Sequence, residues 1–394
     1  MSIKRKTKLV QFEADRIHIP RFVNEFWTSK QRQGNPLHEI SYRACFKAEL
    51  PRFFITLLSR ENDVVYDPFA GRGTTIIEAA LLKRNVIAND INPLSKILSK
   101  PRLLIPSREE VEERLNKIKF KAGLKANIDL SMFYHPETES AIVSLRNYLI
   151  IKKRNNEEDY IDEWIRMIAT NRLTGHSKNF FSVYTLPPNQ AVSPERQKKI
   201  NKQRKQRPEF KDVNFIILKK TGDLISGIDK KIIDQLKRIG IKAEFLNEDA
   251  RTTTKIKSNS VQLTVTSPPF LDIVNYAEDN WLRCWFNNID ARKVAQSITV
   301  TKKLDEWEKV MGEVFIELYR ITKTGGYVAF EVGEIRRGNI KLDEHIVPLG
   351  IKAGFKCLGV VINLQNFTKT ANIWGINNNT VGTNTNRIVI FRKE

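Results

Sequence analysis

Between Leu50 and Pro93 the spacing of apolar positions changes period repeatedly. LPRFFITLL carries helical spacing, DVVYD is a short buried strand, TTIIEAALLK is helical again, and NVIAND is a second strand. Together they predict a βαβ unit. From Val213 onward short strand patterns return in VNFIIL, KAEFL, VQLTV, GGYVAFEVG and NRIVIF, with helical stretches such as EKVMGEVFIELYRI between some of them. Strands alternating with helices predict an α/β fold whose mostly parallel sheet has helices on both faces. Between roughly Ser107 and Gly240 the pattern becomes charged and helical, as in EEVEERLNKIKFK, TESAIVSLRNYLIIKKR and EDYIDEWIRMIATNRL. The chain therefore divides into residues 1–106, an inserted region at 107–240 expected to serve target recognition, and a return to the sheet at 241–394.

Charge adds a partner to this picture. The 394 residues carry 66 Lys and Arg against 45 Asp and Glu, a net charge of +21. A polyanion gains affinity for such a surface by releasing condensed counterions, so nucleic acid is the expected partner. A basic surface serving only solubility is the plainer alternative. The most basic run is RQKKINKQRKQR, residues 196 to 207. Cys45, Cys284 and Cys357 lie far apart and form no CxxC pair, which indicates neither a disulfide framework nor a zinc site. With no signal-peptide core and no apolar run of membrane-spanning length, a soluble cytoplasmic protein is expected.

Two stretches carry candidate chemistry. YDPFAGRGTT, residues 66 to 75, sits where the first strand gives way to a helix, and Gly71 and Gly73 permit a tight turn and close approach of a ligand to the backbone. An ordinary strand-to-helix turn would look the same. Asp90, however, ends the next strand about 20 residues on, where a carboxylate can accept both hydroxyls of a ribose. The loop is no P-loop, and Ile76 stands where a third glycine would complete the dinucleotide fingerprint. Asp67 would repel a pyrophosphate but suits an ammonium or sulfonium, so a cationic, amino-acid-bearing nucleoside fits best.

The second stretch is VTSPPFLDIVNYAEDNW, residues 265 to 281, where a strand ends in Ser267-Pro268-Pro269-Phe270. An exocyclic amine on a nucleobase is a poor nucleophile because its lone pair is delocalised into the ring. A site for it must accept its hydrogens and aim its nitrogen. The Ser267 hydroxyl and the Pro268 carbonyl supply acceptors, two prolines fix the backbone carrying them, and Phe270 offers a face for an extruded base to stack on. VYTLPPNQ, residues 183 to 190, has two prolines but neither Ser or Asp before them nor an aromatic after them, and takes no catalytic role.

DPFAGRGTT together with TSPPF resembles the S-adenosylmethionine-dependent amino-methyltransferases of DNA, whose loops read D-P-F-x-G-x-G-T-T and [S/D/N]-P-P-[Y/F/W]. The serine form is typical of enzymes making N4-methylcytosine, the aspartate form of those making N6-methyladenine. The resemblance covers roughly residues 45–95 and 240–394. It implies a Rossmann-like class I methyltransferase sheet interrupted by a largely helical insertion, S-adenosyl-L-methionine as cofactor, and double-stranded DNA as substrate. It further implies cofactor contacts from Asp67, Phe69, Ala70, Gly71, Gly73, Thr74 and Asp90, with Asp249 in NEDART accepting the adenine amino group. Catalysis would fall to Ser267, Pro268, Pro269 and Phe270, without a metal.

Other pieces match by position. CFKAELPRFF, residues 45 to 54, is similar to the helix closing over the methionine end of the cofactor. RITKTGGYVAFEVGEI, residues 320 to 335, is similar to a scaffold turn and strand, and GTNTNRIVIF to the last strand of the family. The motif order is that of the alpha arrangement, but the large segment precedes Asp249 instead of following it. Within that segment the run 196–207 is expected to grip phosphates or to form a solvated face, and RLTGHSKNFFSVY, residues 172 to 184, to line a DNA cleft or to pack; His176 is read as structural. The leading expectation is an N4-cytosine methyltransferase acting on a flipped base in a restriction-modification system, beside a separate endonuclease. An N6-adenine enzyme, an RNA methyltransferase and a non-catalytic nucleic-acid binding module are the alternatives.

Overall fold

A computed structural model of the chain describes residues 7–14, 17–27, 34–43, 45–187, 191–269, 276–298, 301, 303–335, 339–364 and 385–394. In chain order the strands are β1 (Lys8–Ala14), β2 (Ile17–Asn24), β3 (Val64–Asp67), β4 (Asn85–Asn89), β5 (Glu244–Leu246), β6 (Val261–Thr266), β7 (Thr322–Val332), the short antiparallel pair β8 (Glu334–Ile335) and β9 (Ile340–Lys341), β10 (Lys356–Leu364) and β11 (Thr385–Arg392). Helix α1 (Glu49–Leu58) precedes β3, α2 (Thr74–Leu81) joins β3 to β4, and α3 (Leu94–Ser99) follows β4. Before β5 the described residues form α4 (Arg108–Lys117), α5 (Pro136–Arg154), α6 (Tyr160–Arg172), α7 (Pro194–Arg204), α8 (Val213–Ile225) and α9 (Lys230–Gly240). After β6 come α10 (Tyr276–Asp279), α11 (Trp281–Phe286), α12 (Ala291–Ser297) and α13 (Leu304–Ile321), and α14 (Leu342–Lys352) precedes β10.

Among the described residues the main sheet has nine strands, in the order β1-β2-β10-β11-β7-β6-β3-β4-β5. Strands β3 to β7 run parallel, and β11 lies antiparallel between β7 and β10. The chain thus moves outward from β3 through β4 to β5, then returns to place β6 on the other side of β3. That reversal leaves a crevice at the carboxyl ends of β3 and β6, the position where open α/β sheets bind ligands.

Alternation along the strands builds two cores, because successive side chains of a strand point to opposite faces. Val65, Val86, Ala88, Leu263, Val265 and Ile388 pack on one face with α1, α2 and apolar residues of the intervening helices, among them Trp164 and Ile217. Tyr66, Ile87, Val328, Phe330, Val389 and Phe391 pack on the other with Trp307, Phe315 and Leu318 of α13 and Ile346 of α14. The fold is therefore the expected Rossmann-like α/β sheet, helical on both faces and interrupted by a largely helical stretch.

Two elements differ from the sequence expectations. VNFIIL is not a strand but the start of α8. Asp212 caps it by accepting the Phe215 N–H at 2.9 Å, and its buried residues Val213, Ile216, Ile217, Lys220, Thr221 and Leu224 follow helical spacing over a longer window than the six apolar letters cover. KAEFL is, as expected, a strand, in its last three residues Glu244–Leu246, at the edge of the sheet. The β1–β2 pair is an addition: it extends the opposite edge, β2 running parallel to β10.

Candidate active site

The crevice is built from the ends of parallel strands. At the end of β3, Asp67 is 1% exposed, and its Oδ1 accepts the Phe69 N–H at 3.1 Å and the Thr266 hydroxyl at 2.6 Å. One carboxylate oxygen thereby ties the glycine loop to the last residue of β6. Burial raises the Asp67 pKa to about 7, against the opposing hydrogen bonds from Thr266 and Phe69.

The glycine loop turns back on Asp90. The Gly71 N–H donates to Asp90 Oδ2 at 2.8 Å and the Asn92 N–H to Oδ1 at 2.8 Å, so the carboxylate at the end of β4 fixes both flanking loops. Burial pushes Asp90 up to about 6, with those two bonds acting in the other direction. Gly73 precedes α2 with φ of 78°, and a Cβ there would collide with the Ser99 side chain. No other residue satisfies both the left-handed backbone and the close helix contact.

One pocket collects much of this chemistry. Its walls include Phe69, Gly71, Asp90, Asp249, Ser267, Pro268 and Pro269 from the sequence-predicted set, joined by Tyr42 and by Trp307, Met311 and Val314 on one face of α13. Asp67, Ala70, Gly73 and Thr74 lie behind that wall. Ala70 is 5% and Thr74 3% exposed. Thr74 Oγ1 accepts from Arg72 Nε at 3.2 Å, while Arg72 Nη1 reaches the Ile40 carbonyl at 2.9 Å, which holds the segment carrying Tyr42 against the loop. Phe270 lies outside the described residues.

Asp249 faces the pocket with a partner of its own. Arg251 grips it through Nε at 2.9 and 3.0 Å and Nη2 at 2.6 Å, and reaches Glu313 of α13 through Nη1 at 3.2 Å. This guanidinium holds the Asp249 carboxyl below the usual carboxylate range. The Arg251 backbone N–H also donates to Asp249 Oδ1, at 2.9 Å, so three donors of one residue converge on this carboxylate.

The Ser-Pro-Pro turn is held from below and from the side. The Trp307 indole N–H donates to the Pro269 carbonyl at 3.0 Å. Beneath it, the buried Glu331 of β7 accepts from Asn386 Nδ2 of β11 at 2.9 Å and is influenced by the Ser267 hydroxyl. Burial raises the Glu331 pKa, and Ser267 and Asn386 oppose that rise. Neither Trp307 nor Glu331 belongs to the motifs that mark the site in the sequence. Trp307, Met311 and Val314 follow the core periodicity of α13, which conceals that the same face also walls a cavity; Glu331 is one charged letter in the apolar strand GGYVAFEVG, a signal that the sequence does carry.

The fold and crevice define a Rossmann-like α/β protein with its candidate site at the switch point of the sheet. Residues 4–98 match the family model described as DNA methylase, of the N6/N4 methyltransferase type. A type II methyltransferase of Methanocaldococcus jannaschii is 33% identical over 86 residues, 22% of this chain and 24% of the relative, so the chain covers about a quarter of the length of that curated protein. Both support the DNA amino-methyltransferase family. The Ser267–Phe270 tetrapeptide lies beyond the family-model match. Among solved structures, a DNA modification methylase of Thermus thermophilus complexed with S-adenosyl-L-methionine is 21% identical, covering 37% of this chain and 53% of the other at a TM-score of 0.24. An rRNA methyltransferase of Streptomyces viridochromogenes is 10% identical over 91% of this chain and 90% of the other, at a TM-score of 0.35. No helix among the described residues is long and apolar enough to cross a membrane.

Proposed function

We propose that the chain is an S-adenosylmethionine-dependent DNA amino-methyltransferase acting on the N4 amino group of a cytosine extruded from the duplex. The observation that carries this reading is the meeting, in one pocket, of the Asp90-braced glycine loop with the Ser267-Pro268-Pro269 turn. The donor set fits the cofactor: Asp90 presents a part-buried carboxylate suited to ribose hydroxyls, Asp249 an acceptor suited to an exocyclic amine, and Phe69, Ala250 and Met311 apolar walls suited to a purine. When bound, S-adenosylmethionine supplies an electrophilic methyl group on a sulfonium that leaves as a neutral thioether.

The protein's own contribution is acceptor placement. A serine hydroxyl has one hydrogen and two lone pairs. The lone pairs of Ser267 would take a hydrogen of the target amine, while the Pro268 carbonyl takes the other. Electron density is thereby returned to the amine nitrogen, and rigid prolines mean that the acceptors need no reorganisation during transfer. Serine at position 267 is the feature that favours cytosine over adenine. Within the helical stretch 107–240, the basic residues between 172 and 211 supply the DNA-contacting surface in this reading, and a separate endonuclease would complete a restriction-modification pair.

The test is to incubate the protein with S-adenosylmethionine and mixed-sequence duplex DNA, digest to nucleosides and weigh the products. N4-methylcytosine is expected. N6-methyladenine would overturn the base assignment while leaving the fold and pocket roles in place, and methylation of RNA alone would overturn the substrate.

A further inference from the structure

The two stretches that stand out in the helical region of the sequence, residues 172–184 and 196–207, are brought together by the fold. They line opposite sides of a second cleft of about 270 Å³, with Lys178 on one side and Arg207 and Lys211 on the other. Tyr184 joins the two sides. Its carbonyl accepts from Gln197 Nε2 at 3.1 Å and Gln206 Nε2 at 2.9 Å, and its ring lies 3.8 Å beneath the Arg204 guanidinium.

Charge decides what the cleft can hold. Residues 172–211 contain ten Lys and Arg against two Glu. Of those two, only Glu209 lines the cleft; it is largely exposed and 3.8 Å from Lys211 Nζ. Among the described residues, no carboxylate lies within ion-pair distance of Lys178 or Arg207, both of which are exposed. A concave surface with this excess of cations and an Arg-stacked tyrosine is complementary to a polyanion.

The cleft is also fastened to the candidate active site. α6 leads directly into the 172–184 stretch, and its Asn171 Nδ2 donates to the Ser41 carbonyl at 3.1 Å, next to Tyr42 of the catalytic pocket. Beyond the stretch, the Ala191 N–H donates to the Asp279 carbonyl at 2.9 Å and the Trp281 indole N–H to the Val192 carbonyl at 3.1 Å. Asp279 and Trp281 belong to the helices that follow the Ser-Pro-Pro turn.

We infer that this cleft clamps the sugar–phosphate backbone of the substrate DNA, with Lys178, Arg207 and Lys211 as the phosphate ligands. The inference rests on the DNA-methyltransferase reading. It assigns the cleft to holding the duplex in register with the pocket, independently of sequence, and leaves base reading to other residues.

The experiment compares K178Q/R207Q/K211Q with wild type and with K230Q/K231Q/K237Q, which removes the same charge from α9, a helix packed on α2. Affinity for a labelled duplex is measured over roughly 50 to 200 mM salt. The cleft variant is expected to bind on the order of tenfold more weakly, with the slope of log affinity against log salt reduced by about 0.9 for each phosphate no longer neutralised. Its KM for DNA should rise while kcat at saturating DNA stays within about twofold of wild type, as loss of uniform binding requires. The α9 variant should keep the wild-type slope.

Equal losses in both variants would assign the effect to bulk charge, and an unchanged cleft variant would remove the clamp; either result overturns the inference. Cofactor binding reports on folding, and the single exposed change R207Q, expected to lower the slope by about 0.9, replaces the triple variant should that misfold. Failure of the parent reading is separable, because it appears in wild type as an absence of DNA methylation before any variant is compared.

Discussion

Glu331, held by Asn386 at 2.9 Å, lies at the carboxyl end of β7 beside the end of β6 that carries Ser267, the two strands being adjacent and parallel. The carboxylate cannot reach the substrate past Ser267 in the proposed mechanism, so its role is to position and polarise the hydroxyl. Replacing it with Gln keeps the shape but removes the charge. Because hydrogen bonds to charged groups contribute about 1.5–3 kcal/mol, Glu331→Gln should lower kcat by roughly tenfold to a hundredfold with cofactor affinity unchanged. The pH profile separates this from a packing defect. Burial raises the Glu331 pKa, and the ionised form is the useful one, so wild-type activity should climb with pH through that raised pKa; the Gln variant should lose this limb.

Ser267→Ala removes one of the two proposed amine acceptors. Methylation should fall at least about a hundredfold, while isothermal titration should find cofactor and DNA binding close to wild type. Equal loss of binding and turnover would instead give Ser267 a structural role.

Asp90→Asn tests the cofactor side. The amide can still accept at one oxygen, but the charge facing the proposed ribose site is lost. Cofactor affinity should weaken by about tenfold to a hundredfold, in line with loss of charged hydrogen bonds, without change in the methylated product. Unaltered affinity would remove Asp90 from the cofactor site.

Asp67 also bears on stability. Its pKa in the fold is about 7 against an ordinary 3.8, so between these values the folded chain holds a proton that the unfolded chain has released. Stability contributed by this group must therefore fall as pH rises through that window, by up to about 4 kcal/mol. The hydrogen bonds from Phe69 and Thr266 both end on Oδ1, an atom that asparagine retains. Urea unfolding across pH 4 to 8 should show a flatter profile for Asp67→Asn than for wild type, with the variant gaining relative stability toward pH 8.

Gly73→Ala would force a side chain into both a left-handed conformation and the Ser99 side chain. A loss of about 1–3 kcal/mol is expected in the same unfolding assay, larger than for a surface Gly→Ala change.

The parts of the fold legible in the sequence are those where local pattern and tertiary demand agree. Val64–Asp67 and Asn85–Asn89 are short apolar runs in a sheet buried on both faces, and a parallel strand buried in that way has no alternation to misread. VNFIIL fails for the same reason in reverse: six apolar letters fit a buried strand or a helix equally, and only the Asp212 cap and the later Lys220, Thr221 and Leu224 positions distinguish them. Asp67 reads as a ligand-facing charge because sequence shows the loop but not the depth; the structure turns it toward Thr266. Arg251, two residues from Asp249, is visible as a charge but not as its partner, since pairing depends on the turn between them.

The hydrogen bond from Thr266 to Asp67 spans 199 residues of chain. During synthesis, the glycine loop and the whole helical stretch must therefore emerge before β6 can pair with β3 and close the crevice. Contacts of such long sequence separation form slowly, because loop closure must be completed before they can stabilise anything. The Ser-Pro-Pro turn that follows Thr266 is thus fastened to the glycine loop only after the intervening chain has been made, so the crevice is among the last parts of the fold to close.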